Sequence, residues 1–160
     1  MIYIGIDNGV TGSIGTITDS GLSAFIETPV IKCKSYTKEV QNTHRIDWRE
    51  LFNNLTHNAV ALIERPMVNP KAFKATQSAL RALEATLIAL EYCKIEYSYI
   101  DSKEWQREFF SSSIIGHDDL KKASFEIGLK LFPNNEYYIR KHGDADGLLI
   151  AEYLRRKSAK

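Results

Sequence analysis

The sequence predicts an α/β fold: a mixed five-stranded sheet, three antiparallel strands plus parallel strands, with helices on both faces. Three observations lead there. Residues 2–27 hold three short apolar runs split at Asn8-Gly9 and at Asp19-Ser-Gly21, the pattern of an antiparallel meander. Ala59 to Ile63 is wholly apolar, which fits a strand buried on both faces and so parallel to its neighbours. Ile95 to Ile100 alternates as a further strand, and the segments between and after these strands carry helical periodicity.

Taken in order, 2–7, 12–18 and 22–27 are the meander, and Pro29 closes its third strand. Gly9 and Gly12 are expected to permit positive φ or a close approach in the first turn. Residues 30–46 are polar and mixed and read as a loop or irregular hairpin. Asp47 is a plausible N-cap for a helix through Trp48, Leu51, Phe52 and Leu55. The longest periodic segment is 70–91. Phe73, Leu80, Leu83, Leu87 and Leu90 form one stripe, read as core, and Ala72, Ala75, Ala79, Ala82, Thr86 and Ala89 form a stripe of small residues. That second stripe fits either packing on the sheet or a dimer seam. Asp101 and Ser102 are candidate caps for a short helix carrying Trp105 and Phe109. Residues 111–117 read as a loop, and a helix from Asp118 or Asp119 carries Leu120, Ala123, Ile127 and Leu131 up to Pro133. Asn134 to Lys141 reads as a polar loop before a last helix at roughly 144–157, which ends in the basic tail Arg155 to Lys160.

The bulk composition narrows the function classes. The 160 residues, 44% hydrophobic and 26% charged, suit one soluble domain spanning 1–160 with a substantial core. A net charge of +1 provides no global basic field, so a nucleic-acid surface would have to be a local patch. Cys33 and Cys93 have no CxxC spacing, which argues against a zinc site or a disulfide framework and for a reducing compartment. Met1 leads straight into a strand, so neither a signal peptide nor a membrane span is expected, and a cytoplasmic location is.

Three acidic sites stand out by context. Asp7 and Glu64 each end a buried strand, and His142-Gly-Asp144-Ala-Asp146-Gly opens the final helix. If the strands ending on Asp7 and Glu64 are parallel neighbours, both carboxylates lie at the strand ends where open α/β sheets bind ligands. Carboxylates gathered in one place repel and shift each other's pKa unless a cation neutralises them. Hard oxygen donors suit Mg²⁺ or Mn²⁺, and two such ions serve phosphodiester cleavage. Each acid also has an ordinary reading: Asp7 as a turn cap, Glu64 as a salt-bridge partner of Arg65 or a lysine, Asp144 as an N-cap, and Asp146 as a first-turn charge.

Four segments carry a family resemblance. They are Ile4-Gly-Ile-Asp7 with its Gly-rich turn, Leu62-Ile-Glu64, Lys121 ahead of Ser124 with Leu131-Phe-Pro133, and Asp144-Ala-Asp146-Gly-Leu-Leu-Ile-Ala151. Together they resemble the RuvC-type Holliday junction resolvases, above all the small versions carried by bacteriophages, over nearly the whole chain and in the expected order. The resemblance implies an RNase H-like fold, a homodimer, and Mg²⁺-dependent paired nicking of four-way DNA junctions with two ions per site and no small-molecule cofactor. It implies catalytic and metal-binding roles for Asp7, Glu64 and Asp146. The fourth family position, three residues before the last Asp, is Gly143 here. On a regular helix Asp144 and Asp146 stand about 200° apart, because each residue advances about 100°. Asp144 reaches the site only from outside the helix. His142 is its rival, sharing a face with Asp146 at i, i+4 if the helix begins early.

DNA contacts are expected from Lys121, which matches a family lysine, and from Lys71, Lys74 and Arg81 downstream of Glu64. Phe73 is either a wedge against an unstacked base or a core residue. Two rival functions share parts of the pattern. One is a less selective nuclease for branched DNA such as D-loops or forks. The other is an actin/Hsp70-like ATPase, whose phosphate loop shares the Asp-x-Gly-x-Thr of Asp7 to Thr11 but whose fold needs two such domains.

Overall fold

In the computed structural model, which describes residues 1–36 and 38–159, strand β1 (Ile2–Asp7) lies at the centre of a five-stranded sheet. On one side it pairs antiparallel with β2 (Ser13–Thr18), which pairs antiparallel with β3 (Ser23–Glu27). On the other side it pairs parallel with β6 (Ala59–Glu64), which pairs parallel with β7 (Glu96–Ile100). The mixed sheet expected from the sequence is therefore present. Thr37, within the polar 30–46 segment, and Lys160, at the end of the basic tail, lie outside the described residues.

The 30–46 segment forms a separate two-stranded arm, β4 (Val30–Lys34) paired antiparallel with β5 (Asn42–Ile46). Helix α1 (Trp48–Asn54) follows, with Asp47 capping it by accepting from the Arg49 and Glu50 N–H groups. A 3₁₀ turn (Pro70–Ala72) leads into α2 (Phe73–Tyr92). After β7 come α3 (Ser102–Phe109), α4 (His117–Leu131), a 3₁₀ turn (Pro133–Asn135), α5 (Glu136–His142) and α6 (Asp146–Ser158).

Side chains alternate across each strand, so the sheet divides the interior into two cores. Ile4 and Ile6 of β1 and Ala61 and Ile63 of β6 face a core completed by Leu51 of α1 and Ala82, Ala89 and Leu90 of α2. Leu62 faces the opposite core, with Trp105, Ile139, Leu148, Leu149 and Ile150 from α3, α5 and α6. Helix α6 is buried from Gly147 through Tyr153, so it is apolar on nearly every side, as a central helix must be. Each fully buried Leu or Ile there contributes about 1.5–3 kcal/mol.

Helix α6 also comes unusually close to the sheet, and glycines on both partners make this possible. A Cβ placed on Gly5 would stand 2.2 Å from the Ala151 nitrogen and the Gly147 carbonyl oxygen. One on Gly15 would stand 2.5 Å from Leu148 Cα, and one on Gly147 would stand 2.8 Å from the Gly15 nitrogen.

Two sequence expectations are corrected, and two left open are resolved. The 134–141 stretch is helical: only Ile139 of α5 is buried, so it has no apolar stripe to announce it. In α2, Phe73 and Leu80 are exposed rather than core. The sheet-facing contact comes from the small residues Ala82, Thr86 and Ala89, which settles that part of the second stripe as packing. Gly9 and Gly12 do not take positive φ. Gly12 is required by proximity, since a Cβ there would stand 2.0 Å from the Asp7 carbonyl oxygen.

Candidate active site

Register brings the first two acids together. Ile6 pairs with Ile63 in the parallel ladder, so Asp7 and Glu64, each one residue further on, occupy neighbouring strand ends. The alternation that sends Ile6 and Ile63 to one core sends Asp7 and Glu64 to the face covered by α3 and α6. There α6 begins, and its first residue is Asp146. The glycine contact described above sets how near Asp146 comes to Asp7.

Each acid except Asp7 is oriented by neighbouring side chains. Glu64 Oε1 accepts from the Ser102 hydroxyl at 2.7 Å and Oε2 accepts from the Trp105 indole N–H at 2.6 Å. Arg65, one of the salt-bridge partners in the ordinary reading of Glu64, pairs instead with Asp101 at 3.0 Å. Asp146 Oδ1 accepts from the Ser124 hydroxyl, and the same hydroxyl accepts from the Ala145 N–H at 3.0 Å. The Gly147 N–H donates to Ser13 Oγ at 3.1 Å, which pins the first turn of α6 to β2.

Asp144 lies in the short link between α5 and α6, outside the helix, where it escapes the angular conflict with Asp146. It is 2% exposed, with Lys121 Nζ 3.4 Å from Oδ2 and His142 Nε2 3.3 Å from Oδ1. His142 does not share a helical face with Asp146. It ends α5, and Gly143, in the left-handed region at φ 97°, separates the two helices. Its ring packs edge-on against Phe25, and its buried Nε2 lies out of line for a hydrogen bond. It is therefore not the solvated loop residue that the sequence allowed.

The electrostatics are those of crowded like charges. Burial, followed by the charges of Asp146, Glu64 and Asp144, pushes the Asp7 carboxyl well above its ordinary range. Burial and then the Asp144 charge push Asp146 up to about 7. Burial raises Glu64 against the lowering effect of its two hydrogen bonds. Burial also opposes ionisation of Asp144, but the His142 ring, the Asp146 N–H and the Lys121 charge hold it below the usual carboxylate range. Glu152 offers a contrast inside the same helix. It is also buried, though less enclosed, and Arg155 and Arg156 both reach it at 2.8 Å and hold it low.

This donor set suits a hard divalent cation: four carboxylates near the ends of β1 and β6, with Lys121 the one cation paired there among the described residues. As placed, no three His, Cys, Asp or Glu side chains among the described residues enclose an ion, because Glu64, Asp144 and Asp146 are turned onto protein partners.

The basic residues divide into two groups. Lys121 stands within the acidic cluster. Lys71, Phe73, Lys74 and Arg81 are exposed on the turn before α2 and along its first half, beyond the loop that follows Glu64. Asn8 Nδ2 donates to the Ala79 carbonyl at 3.2 Å, tying the turn after Asp7 to that helix. Sequence reasoning missed Trp105, Ser102 and Ser13 as parts of the site. The spacing of Lys121 and Ser124, three apart on α4 and so on one face, was the available signal for that helix's role.

The fold and the strand-end acids define a class: an RNase H-like α/β sheet with carboxylates gathered where its parallel strands end. Within that class the chain has the fold of RuvC. A structure of Thermus thermophilus RuvC in complex with a Holliday junction substrate superposes with a TM-score of 0.59, covering 98% of this chain and 96% of that one at 12% identity. A second T. thermophilus RuvC structure covers 99% and 97% at 15% identity, with a TM-score of 0.49. No family model and no curated protein matches the sequence.

Proposed function

We propose that this chain is a divalent-metal-dependent DNA endonuclease that resolves four-way junctions, one nuclease domain per protomer, working as a homodimer that nicks two strands. The observation that carries this reading is the meeting of Asp7, Glu64 and Asp146 where β1 and β6 end and α6 begins, in a RuvC fold. The similar structure's bound Holliday junction supports the choice of branched DNA as substrate.

Asp7, Glu64, Asp144 and Asp146 would hold the metal, with His142 as the neighbour that positions Asp144. Mg²⁺ or Mn²⁺ bound there supplies activation of the attacking water and stabilisation of the leaving 3′ oxygen, so that cleavage leaves 5′-phosphate and 3′-hydroxyl ends. The protein's own part is positional. Trp105 and Ser102 fix both oxygens of Glu64, Ser124 fixes one oxygen of Asp146, and burial keeps bulk water from screening the cluster. Lys121 balances part of the charge, 3.4 Å from Asp144 Oδ2, and would hold a phosphate of the bound strand. Lys71, Lys74, Arg81 and Phe73 present cations and an exposed ring to the flanking DNA.

A substrate comparison tests the selectivity claim. Radiolabelled four-way junction, fork and blunt duplex are incubated with protein and Mg²⁺ under equal conditions. The reading predicts symmetric nicks near the junction centre and little cleavage of blunt duplex. Equal cutting of fork and junction would favour the less selective branched-DNA nuclease.

A further inference from the structure

A concavity of about 960 Å³ lies outside the acidic cluster, between the β4–β5 arm and α2. Its two walls have distinct origins. The arm contributes Tyr36, Lys38 and Arg45, and α2 contributes Lys74, Gln77 and Arg81. Lysines and arginines on the lining outnumber its carboxylates, Glu39 and Glu84, by two to one, although the whole chain is nearly neutral. Two aromatic rings stand at its edge, Tyr36 at 80% exposure and Trp48 at 38%. The Gln77 side-chain N–H donates to the Tyr36 hydroxyl at 3.2 Å, so the arm's tip reaches across to the helix.

The groove reaches the turn that follows Asp7. Val10, in the turn that follows Asp7, lines its floor, and the Asn8 bond to Ala79 joins that turn to the helix wall.

We infer that the arm and α2 form a channel for an unpaired DNA strand next to the nuclease site. The chemistry selects this occupant. A run of cations separated by exposed aromatic rings suits a backbone whose bases are free to stack, whereas the base faces of a duplex are already covered. Tyr36 serves as the stacking platform, and Lys38, Arg45, Lys74 and Arg81 take the phosphates. The inference rests on the endonuclease reading for the direction of the strand, but its test needs no cleavage.

Fluorescence anisotropy in EDTA compares a blunt duplex with the same duplex carrying a single-stranded tail. Wild type is expected to bind the tailed probe about tenfold more tightly, since one stacked base contributes about 1–3 kcal/mol. Tyr36→Ala and Arg45→Ala are expected to lose that gain while keeping their blunt-duplex affinity. Tyr36→Phe, which keeps the ring and loses the bond to Gln77, is expected to retain it. Both positions are at the surface, and thermal melts verify that the variants fold. Persistence of the tail gain in both alanine variants overturns the channel. So does a shift in sedimentation from dimer to monomer with the gain intact, which would make the groove a seat for a second copy. A wild type that binds DNA without preferring the tail overturns the channel alone, and one that binds no DNA overturns the endonuclease reading with it.

Discussion

The Trp105 indole N–H donates to Glu64 Oε2 at 2.6 Å, from a ring that is wholly buried. Trp105 thus belongs to the core and to the acidic cluster at once. Trp105→Phe retains most of the packing and removes the donor. It is expected to lower cleavage about 10–100-fold, the usual consequence of losing a group that orients a ligand. The accompanying loss of stability is about 1.5–3 kcal/mol, that of a hydrogen bond to a charged group. Steady-state cleavage and urea melts check the two effects separately.

Helix α6 reaches the sheet only because Gly5, Gly15 and Gly147 lack side chains. Gly147→Ala would press a methyl group against the backbone of β2, and overpacking of this kind costs about 1–3 kcal/mol. It also moves Asp146 away from Asp7. The expected result is a lower denaturation midpoint together with reduced metal affinity by calorimetry. A variant with wild-type stability would show that the helix can shift freely.

The crowded carboxylates make the metal-free protein sensitive to pH. Asp146 titrates at about 7 in the fold against an ordinary 3.8, so between these values the native state holds a proton that the unfolded chain has lost. Native stability on this account falls as pH rises from about 4 to about 7 and then levels. Asp7, also raised, acts in the same direction, while Asp144, held low, contributes stability that is lost only on acidification below the carboxylate range. Mg²⁺ or Mn²⁺ is therefore expected to raise Tm by more at pH 8 than at pH 5. Differential scanning fluorimetry with and without EDTA measures this.

Asp144 and His142 separate by substitution. Asp144→Asn removes a carboxylate and leaves Lys121 without its partner. His142→Ala leaves the carboxylate in place and removes the ring beside it. Cleavage is expected to fall about tenfold for His142→Ala, as for loss of an orienting neighbour, and by a larger factor for Asp144→Asn. The reverse order would make His142 the ligand.

Much of this was legible in the chain. Strands that end on carboxylates, Ile6-Asp7 and Ile63-Glu64, announced both the parallel pairing and the meeting of two acids. The last helix, expected at roughly 144–157 from its apolar run, begins at Asp146. What stayed hidden depends on contacts distant in sequence. No local pattern links Trp105 to Glu64, which are 41 residues apart, or Gly5 to Gly147. Helix α5 escaped because Tyr137, Tyr138 and Arg140 face outward and leave Ile139 alone in the core. The leucine stripe of α2 misled because leucines and small residues share that helix, and the sheet took the small ones.

The central claim is that Asp7 anchors a metal-dependent nuclease site. A synthetic four-way junction with each strand labelled in turn, incubated with Mg²⁺ or Mn²⁺, tests it most directly beside Asp7→Asn. The account predicts paired nicks by wild type, none in EDTA, and none by a folded Asp7→Asn protein that still binds the junction. No cleavage by wild type, or equal cleavage by the variant, would contradict it.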